Sequence, residues 1–166
     1  MNELAIIPRG AYSRALAVRH RPASKRYYLD VGIGSVCLSG ADTGDAYCLL
    51  EISLAPGTSV PRHTHTREDE SYFVLAGELE VIVGDDVFVL KSGDTLIAPR
   101  DVPHELRNCG DVENRYLLMF SPAGFEEFLE ITAVPAPANA AAPTEPHPTP
   151  VRNVHALAGD YGIRFG

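Results

Sequence analysis

No apolar run in this chain of 166 residues approaches the length needed to cross a membrane, and the N-terminus lacks a basic-then-apolar signal pattern. Positive charge is also scarce: 14 Lys and Arg stand against 22 Asp and Glu, a formal net charge of -8. Nucleic-acid partners favour a basic surface, so that class is set aside. The basic residues that exist are concentrated early, with six Arg or Lys and one acid in residues 1–26; this reads as decoration of an exposed segment. Cysteine is sparse and odd in number. Cys37, Cys48 and Cys109 show no metal or redox spacing and read as reduced thiols. No helix-turn-helix-like extension is present. These absences leave a soluble, cytoplasmic single domain, long enough to bury a core.

Short β-like runs separated by turn residues dominate what is there, the pattern of an all-β sandwich or barrel. Candidate strands are RALAVRH (14–20), KRYYLD (25–30), SVCLS (35–39) and AYCLLEISLA (46–55), with a turn at 40–45. Further on, ELEVIV and VFVL flank Gly84-Asp85-Asp86 as a hairpin, and TLIA, HELRN and RYLLMF follow. The barrel proper is expected over about 45–121. At SPAGFEEFLEIT, Ser121-Pro122 with Glu126 and Glu127 signals a helix start. Phe125, Phe128 and Leu129 then share one face, packed on the outside of the barrel or, less expectedly, covering its mouth. Residues 133–150 are rich in Ala and Pro and read as an extended linker, with His147 a poor ligand candidate between prolines. Val154, Leu157, Ala158 and Tyr161 suit one face of a short helix in a tail that docks on its own barrel or on a second subunit. The expected division is therefore 1–44 for N-terminal strands packing on the barrel, 45–132 for the core and following helix, 133–150 for the linker, and 151–166 for the tail.

The chemistry concentrates in GTSVPRHTHTREDESYFVLAG (57–77). Strand side chains alternate faces, so His63 and His65 present two imidazoles side by side. Glu70 opens the next run, ESYFVLA, which reads as a strand pairing back against the first. His104 lies on a later strand, beyond the turn Pro99–Pro103. Burying three imidazoles and a carboxylate without a partner is costly, and a divalent transition metal removes that cost. His63, His65, Glu70 and His104 suit Fe, Ni, Mn, Co, Cu or Zn alike. Four protein ligands around a six-coordinate ion leave two open positions, which favours a catalytic centre. Glu70 is then the candidate general base. Inward strand parity places Tyr72 and Val74 with Glu70, and Leu106 with His104, as possible pocket wall. Arg62 and Arg67 are expected at the rim, solvated or paired with Glu68 and Asp69.

These residues resemble the two motifs of the cupin superfamily. Gly57, His63, His65, Glu70 and Gly77 match G-x5-H-x-H-x4-E-x6-G, and Gly93, Pro99, His104 and Asn108 match G-x5-P-x-G-x2-H-x3-N, with Asp101 in place of glycine. Asp tolerates the left-handed conformation a glycine would supply. The resemblance implies a cupin (double-stranded β-helix, jelly-roll) barrel with extra N-terminal strands and one or two short C-terminal helices. It also implies one divalent metal ion on the four ligands. The flanks are more loosely similar to small single-domain cupins of the quercetin 2,3-dioxygenase type. Three functions stay open: a dioxygenase acting on a small aromatic or enolic, flavonol-like compound; a non-redox isomerase, lyase or polyketide-cyclase-like enzyme; and a small-molecule-binding module without turnover. A homodimer is expected.

Overall fold

The computed structural model describes residues 25–29, 31–145 and 154–166. The expected strand at 14–20 and His147 lie outside them. Strands β1 (Arg26–Tyr28), β2 (Gly32–Leu38), β3 (Cys48–Leu54), β4 (Ser59–His65), β5 (Asp69–Ala76) and β6 (Glu78–Val83) are followed by β7 (Asp86–Lys91), β8 (Thr95–Ala98), β9 (His104–Arg107) and β10 (Asn114–Ser121). Two short strands come later, β11 (Val134–Pro135) and β12 (Ile163–Phe165). They form two antiparallel sheets, ordered β11-β1-β2-β3-β10-β5-β8 and β12-β4-β9-β6-β7. This is a jelly-roll sandwich, as the alternating pattern requires.

Period-two patterning sets what faces inward. On β5, Glu70, Tyr72 and Val74 are buried while Phe73 is exposed, and on β10 Tyr116, Leu118 and Phe120 are buried. With Leu50, Leu54, Leu79 and Val81 from neighbouring strands, these side chains make one core between the sheets. The ESYFVLA run does not pair back against the histidine strand as expected. β5 pairs with β10 and β8, whereas β4 pairs with β9 and β12. The segment after His65 instead crosses from one sheet to the other, so the inward faces of opposite sheets meet over the site.

Two motif positions outside the ligand set have structural reasons. Gly77 sits at φ 74°, where a Cβ would lie 2.8 Å from the Asn114 Cα; only glycine fits. Asn108 is fully buried, and its amide donates to the carbonyls of Leu54 (2.9 Å) and Val112 (2.8 Å) while accepting from the Gly110 amide (3.0 Å). That side chain closes the turn behind β9.

Residues 40–45 hold a one-turn helix, α1 (Gly40–Thr43), where a plain turn was expected. The Asp42 carboxylate accepts from the Ser39 amide (2.9 Å) and hydroxyl (2.8 Å) at its start. Helix α2 (Phe125–Thr132) begins just after the Ser-Pro signal. The Ala/Pro-rich segment does not run free throughout: β11 pairs with β1, and Ala142 packs on Ile33 and Ala55. Helix α3 (Val154–Ala158) and a 3-10 turn then lead into β12, whose Ile163 and Phe165 lie opposite His65 and His63. Among the described residues, no helix is long and apolar enough to cross a membrane.

Candidate functional site

His63 and His65 project inward from β4, His104 from the first residue of β9, and Glu70 from β5 in the opposing sheet. His63 and His104 are register partners, which brings two imidazoles together across the β4–β9 ladder. All four side chains are buried, and their potential ligand atoms lie within 4.8 Å of one another. The three histidine Nε2 atoms face one carboxylate oxygen, Glu70 Oε2, at 2.8 Å (His104), 3.5 Å (His65) and 3.9 Å (His63). The Nδ1 atoms of His63 and His104 point the other way, at the carbonyls of Pro61 (2.9 Å) and Val102 (3.0 Å). Those backbone acceptors leave each Nε2 turned to the centre.

The turn before His104 is held by Asp101, which adopts the left-handed φ of 64° expected of the residue standing in for glycine. Its amide donates to the His65 carbonyl at 2.7 Å, tying the two ligand segments together.

Electrostatics follow from burial and closeness. Burial works to raise the Glu70 carboxyl, but the His104 hydrogen bond and the three imidazoles outweigh it and hold it at about 2. Burial lowers His63 to about 4. For His104 burial pulls down, while the hydrogen bond and charge of Glu70 pull harder and raise it. The site is thus an anionic carboxylate ringed by imidazoles, a donor set that fits a divalent transition metal.

The cluster opens into a cavity of about 470 Å³ with an apolar, aromatic wall. Leu106 lines it, and Tyr72 and Val74 lie inward in the core on β5. The Tyr72 hydroxyl is buried close to the Glu70 carboxylate, and burial, then the Glu70 charge, pushes the phenol well above its usual range. The wall comes from Tyr116, Leu118 and Phe120 of β10, and from Phe125, Phe128 and Leu129 of α2. Phe120 and Phe125 stack at 4.0 Å, both within 5.5 Å of the His65 ring. The helix therefore covers the cavity rather than merely packing outside the barrel. Val154, His155, Ile163 and Phe165 from the tail complete the cover. Those tail residues carried no site signal in the sequence, because only the β12–β4 pairing brings them to the histidines. A second, more open hollow of about 580 Å³, lined by Leu49, Phe73, Ile97, Leu117 and Met119 among others, carries no histidine or carboxylate; the chemistry lies in the first.

At the rim Arg67 is exposed, one of the two expected outcomes, while Asp69 and Glu68 find other neighbours. Asp69 accepts from the Arg100 amide, Nε and Nη2 (2.9, 3.1 and 2.8 Å), hydrogen bonds that hold its carboxyl at about 2. Arg62 donates to the Gly84 carbonyl at 2.8 Å and lies 3.7 Å from Glu105. Glu68 turns away from the rim and is buried beside His65.

Residues 50–120 match the family described as Cupin domain, and the jelly roll and ligand cluster agree with that match. The similarity to the cupin family is thus carried by residues 50–120, the segment that holds all four ligand candidates. It is 33% identical over 85 residues to polyketide synthase CurC of Streptomyces cyaneus, covering 51% of this chain and 55% of that one. It is 31% identical over 83 residues to quercetin 2,3-dioxygenase of Bacillus subtilis (strain 168), covering 50% of this chain and 25% of the other. The chain thus spans about half, or less, of the length of these curated relatives. Among solved structures, the polyketide cyclase RemF of Streptomyces resistomycificus superposes with a TM-score of 0.56 at 20% identity, covering 64% of this chain and 80% of that one. That likeness is one of fold.

Proposed function

We propose that this cupin is a mononuclear metal-dependent enzyme acting on a small aromatic or enolic compound, a dioxygenase of the quercetinase type. One observation carries the reading: a buried three-histidine, one-carboxylate cluster borders, through His63, His65 and Glu70, an aromatic-walled cavity of substrate size. The similarity to quercetin 2,3-dioxygenase supports the choice of reaction. His63, His65, Glu70 and His104 would hold the ion, which supplies Lewis acidity toward an enol or hydroxyl and, if redox-active, electron transfer.

The chain's own residues do the rest. Phe120, Phe125 and Phe128 offer flat apolar faces that orient a planar ring and exclude water. The Glu70 carboxylate, at the centre of the three imidazoles, is the group placed to accept the hydroxyl proton of an arriving substrate. Glu70→Gln is expected to keep the fold and lose turnover by about a hundredfold or more; retention of both metal and turnover would remove Glu70 from this role. Oxygen uptake against a panel of flavonols and other enolic compounds tests the reaction class. Metal-dependent uptake supports the dioxygenase, and turnover that persists under strict anaerobiosis or with zinc contradicts it.

The polyketide relative favours a second reading, a non-redox cyclase or isomerase using the same residues. Anaerobic turnover would establish it. A homodimer in the cytoplasm belongs to the main reading, with light scattering and cell fractionation as its measurements.

A further inference from the structure

Glu68 is the site's unassigned group. Carboxylates are almost never fully buried unless something holds them, yet Glu68 is 4% exposed. Its Oε2 faces His65 Nδ1 at 3.5 Å, longer than an ordinary hydrogen bond, and neither atom has a hydrogen-bond partner. Two unpartnered buried polar atoms that face each other call for a role, and a small closing of the gap would let each satisfy the other. The nearby Gly124 amide does not compete for Glu68, because it donates to Glu126 Oε2 at 2.9 Å.

The contrast within the cluster gives this pair its meaning. His63 and His104 turn Nδ1 to neutral backbone carbonyls, of Pro61 and Val102. His65 alone turns Nδ1 to a carboxylate. We propose that Glu68 is a positioning residue that accepts the Nδ1–H of His65, fixing the tautomer whose Nε2 lone pair faces Glu70 and making His65 the strongest imidazole donor of the three. A carboxylate behind a ligating imidazole holds ring orientation and pushes electron density toward the ligating nitrogen. The rings of Phe120 and Phe125 pack against the imidazole, leaving Glu68 to set its rotation. The loop that carries Glu68 is itself pinned, since the Thr66 amide and hydroxyl both donate to the Gly162 carbonyl, at 2.8 and 2.9 Å. The C-terminal turn thereby supports the metal cluster through Glu68 without supplying a ligand.

The inference rests on the metal reading of the four-residue cluster. Its test uses the intact chain with zinc as the probe, comparing wild type, Glu68→Gln and Glu68→Ala by calorimetric titration. Nitrogen-15 NMR of the imidazoles in the zinc-loaded proteins gives a second readout. The expected zinc Kd rises about tenfold in Glu68→Gln and toward about a hundredfold in Glu68→Ala. Metal-free Glu68→Gln unfolds at the wild-type temperature, and the His65 Nδ1 resonance shifts while those of His63 and His104 stay in place. A Kd within about twofold of wild type in both variants, or an unmoved His65 Nδ1 resonance, would overturn the role of Glu68 while leaving the metal site standing. Loss of the metal-free fold in both variants would overturn it too, by making Glu68 a support of the fold. A wild-type protein that takes up no zinc would bring down the metal reading itself.

Discussion

At the scale of single residues, Asp101 shows how a departure from a motif can be physically conservative. Its φ of 64° is a conformation that Asp adopts at little cost and a β-branched residue does not. Asp101→Gly is expected to leave stability nearly unchanged, and Asp101→Val to cost about 1–2 kcal/mol in urea unfolding. Equal midpoints for the two variants would show that backbone strain at this turn does not matter. The four ligand candidates were legible in the sequence because strand alternation and spacing are local rules. Glu68 was not. Nothing in RED distinguishes a rim acid from a buried one, and the choice is made by Arg100, which takes Asp69 and leaves Glu68 to turn inward. Tyr72 and Val74 are turned inward as parity requires, and Tyr72 lies beside Glu70.

Among the elements, α2 is held by a single acid. The Glu126 carboxylate is buried and accepts from the amides of Gly40 (2.6 Å) and Gly124 (2.9 Å), joining the helix start to α1. Burial raises its pKa, and the backbone hydrogen bond from Gly40 with the other donors more than reverses this, leaving it lowered. A depressed folded pKa contributes stability that is present above the unfolded value, about 4.5, and is lost as pH falls through the folded one. Glu126→Gln should therefore cost about 1–2 kcal/mol at pH 7. The gap to wild type should narrow below about pH 4.5; a gap independent of pH would contradict the charge-assisted cap. The tail makes a parallel case. Ile163 is 4% exposed and lies opposite His65 on the β12–β4 ladder, so Ile163→Ala should cost about 2–4 kcal/mol in thermal or urea unfolding. A change under about 0.5 kcal/mol would show that the tail is not docked there. The sequence showed the helical pattern of the tail but not its seat, since a short strand that completes a sheet edge has no pattern of its own to read.

For the molecule as a whole, period-two alternation and turn signals carried the all-β class, and the two motifs carried the cupin topology. What they did not carry was the assignment of strands to sheets. ESYFVLA joins the sheet opposite the histidine strand, so the site is built across the sandwich rather than along one hairpin. That arrangement explains why Glu70 can face three imidazoles at once, and why α2 and the tail together roof the cavity. The claim on which the rest depends is that these four residues bind a metal ion. Its direct measurement is the metal content of protein purified without chelators or added metals, repeated after reconstitution. The account predicts one divalent transition metal ion per chain, lost on substitution of His104 by Ala. Wild-type protein that holds no metal even after reconstitution would contradict it.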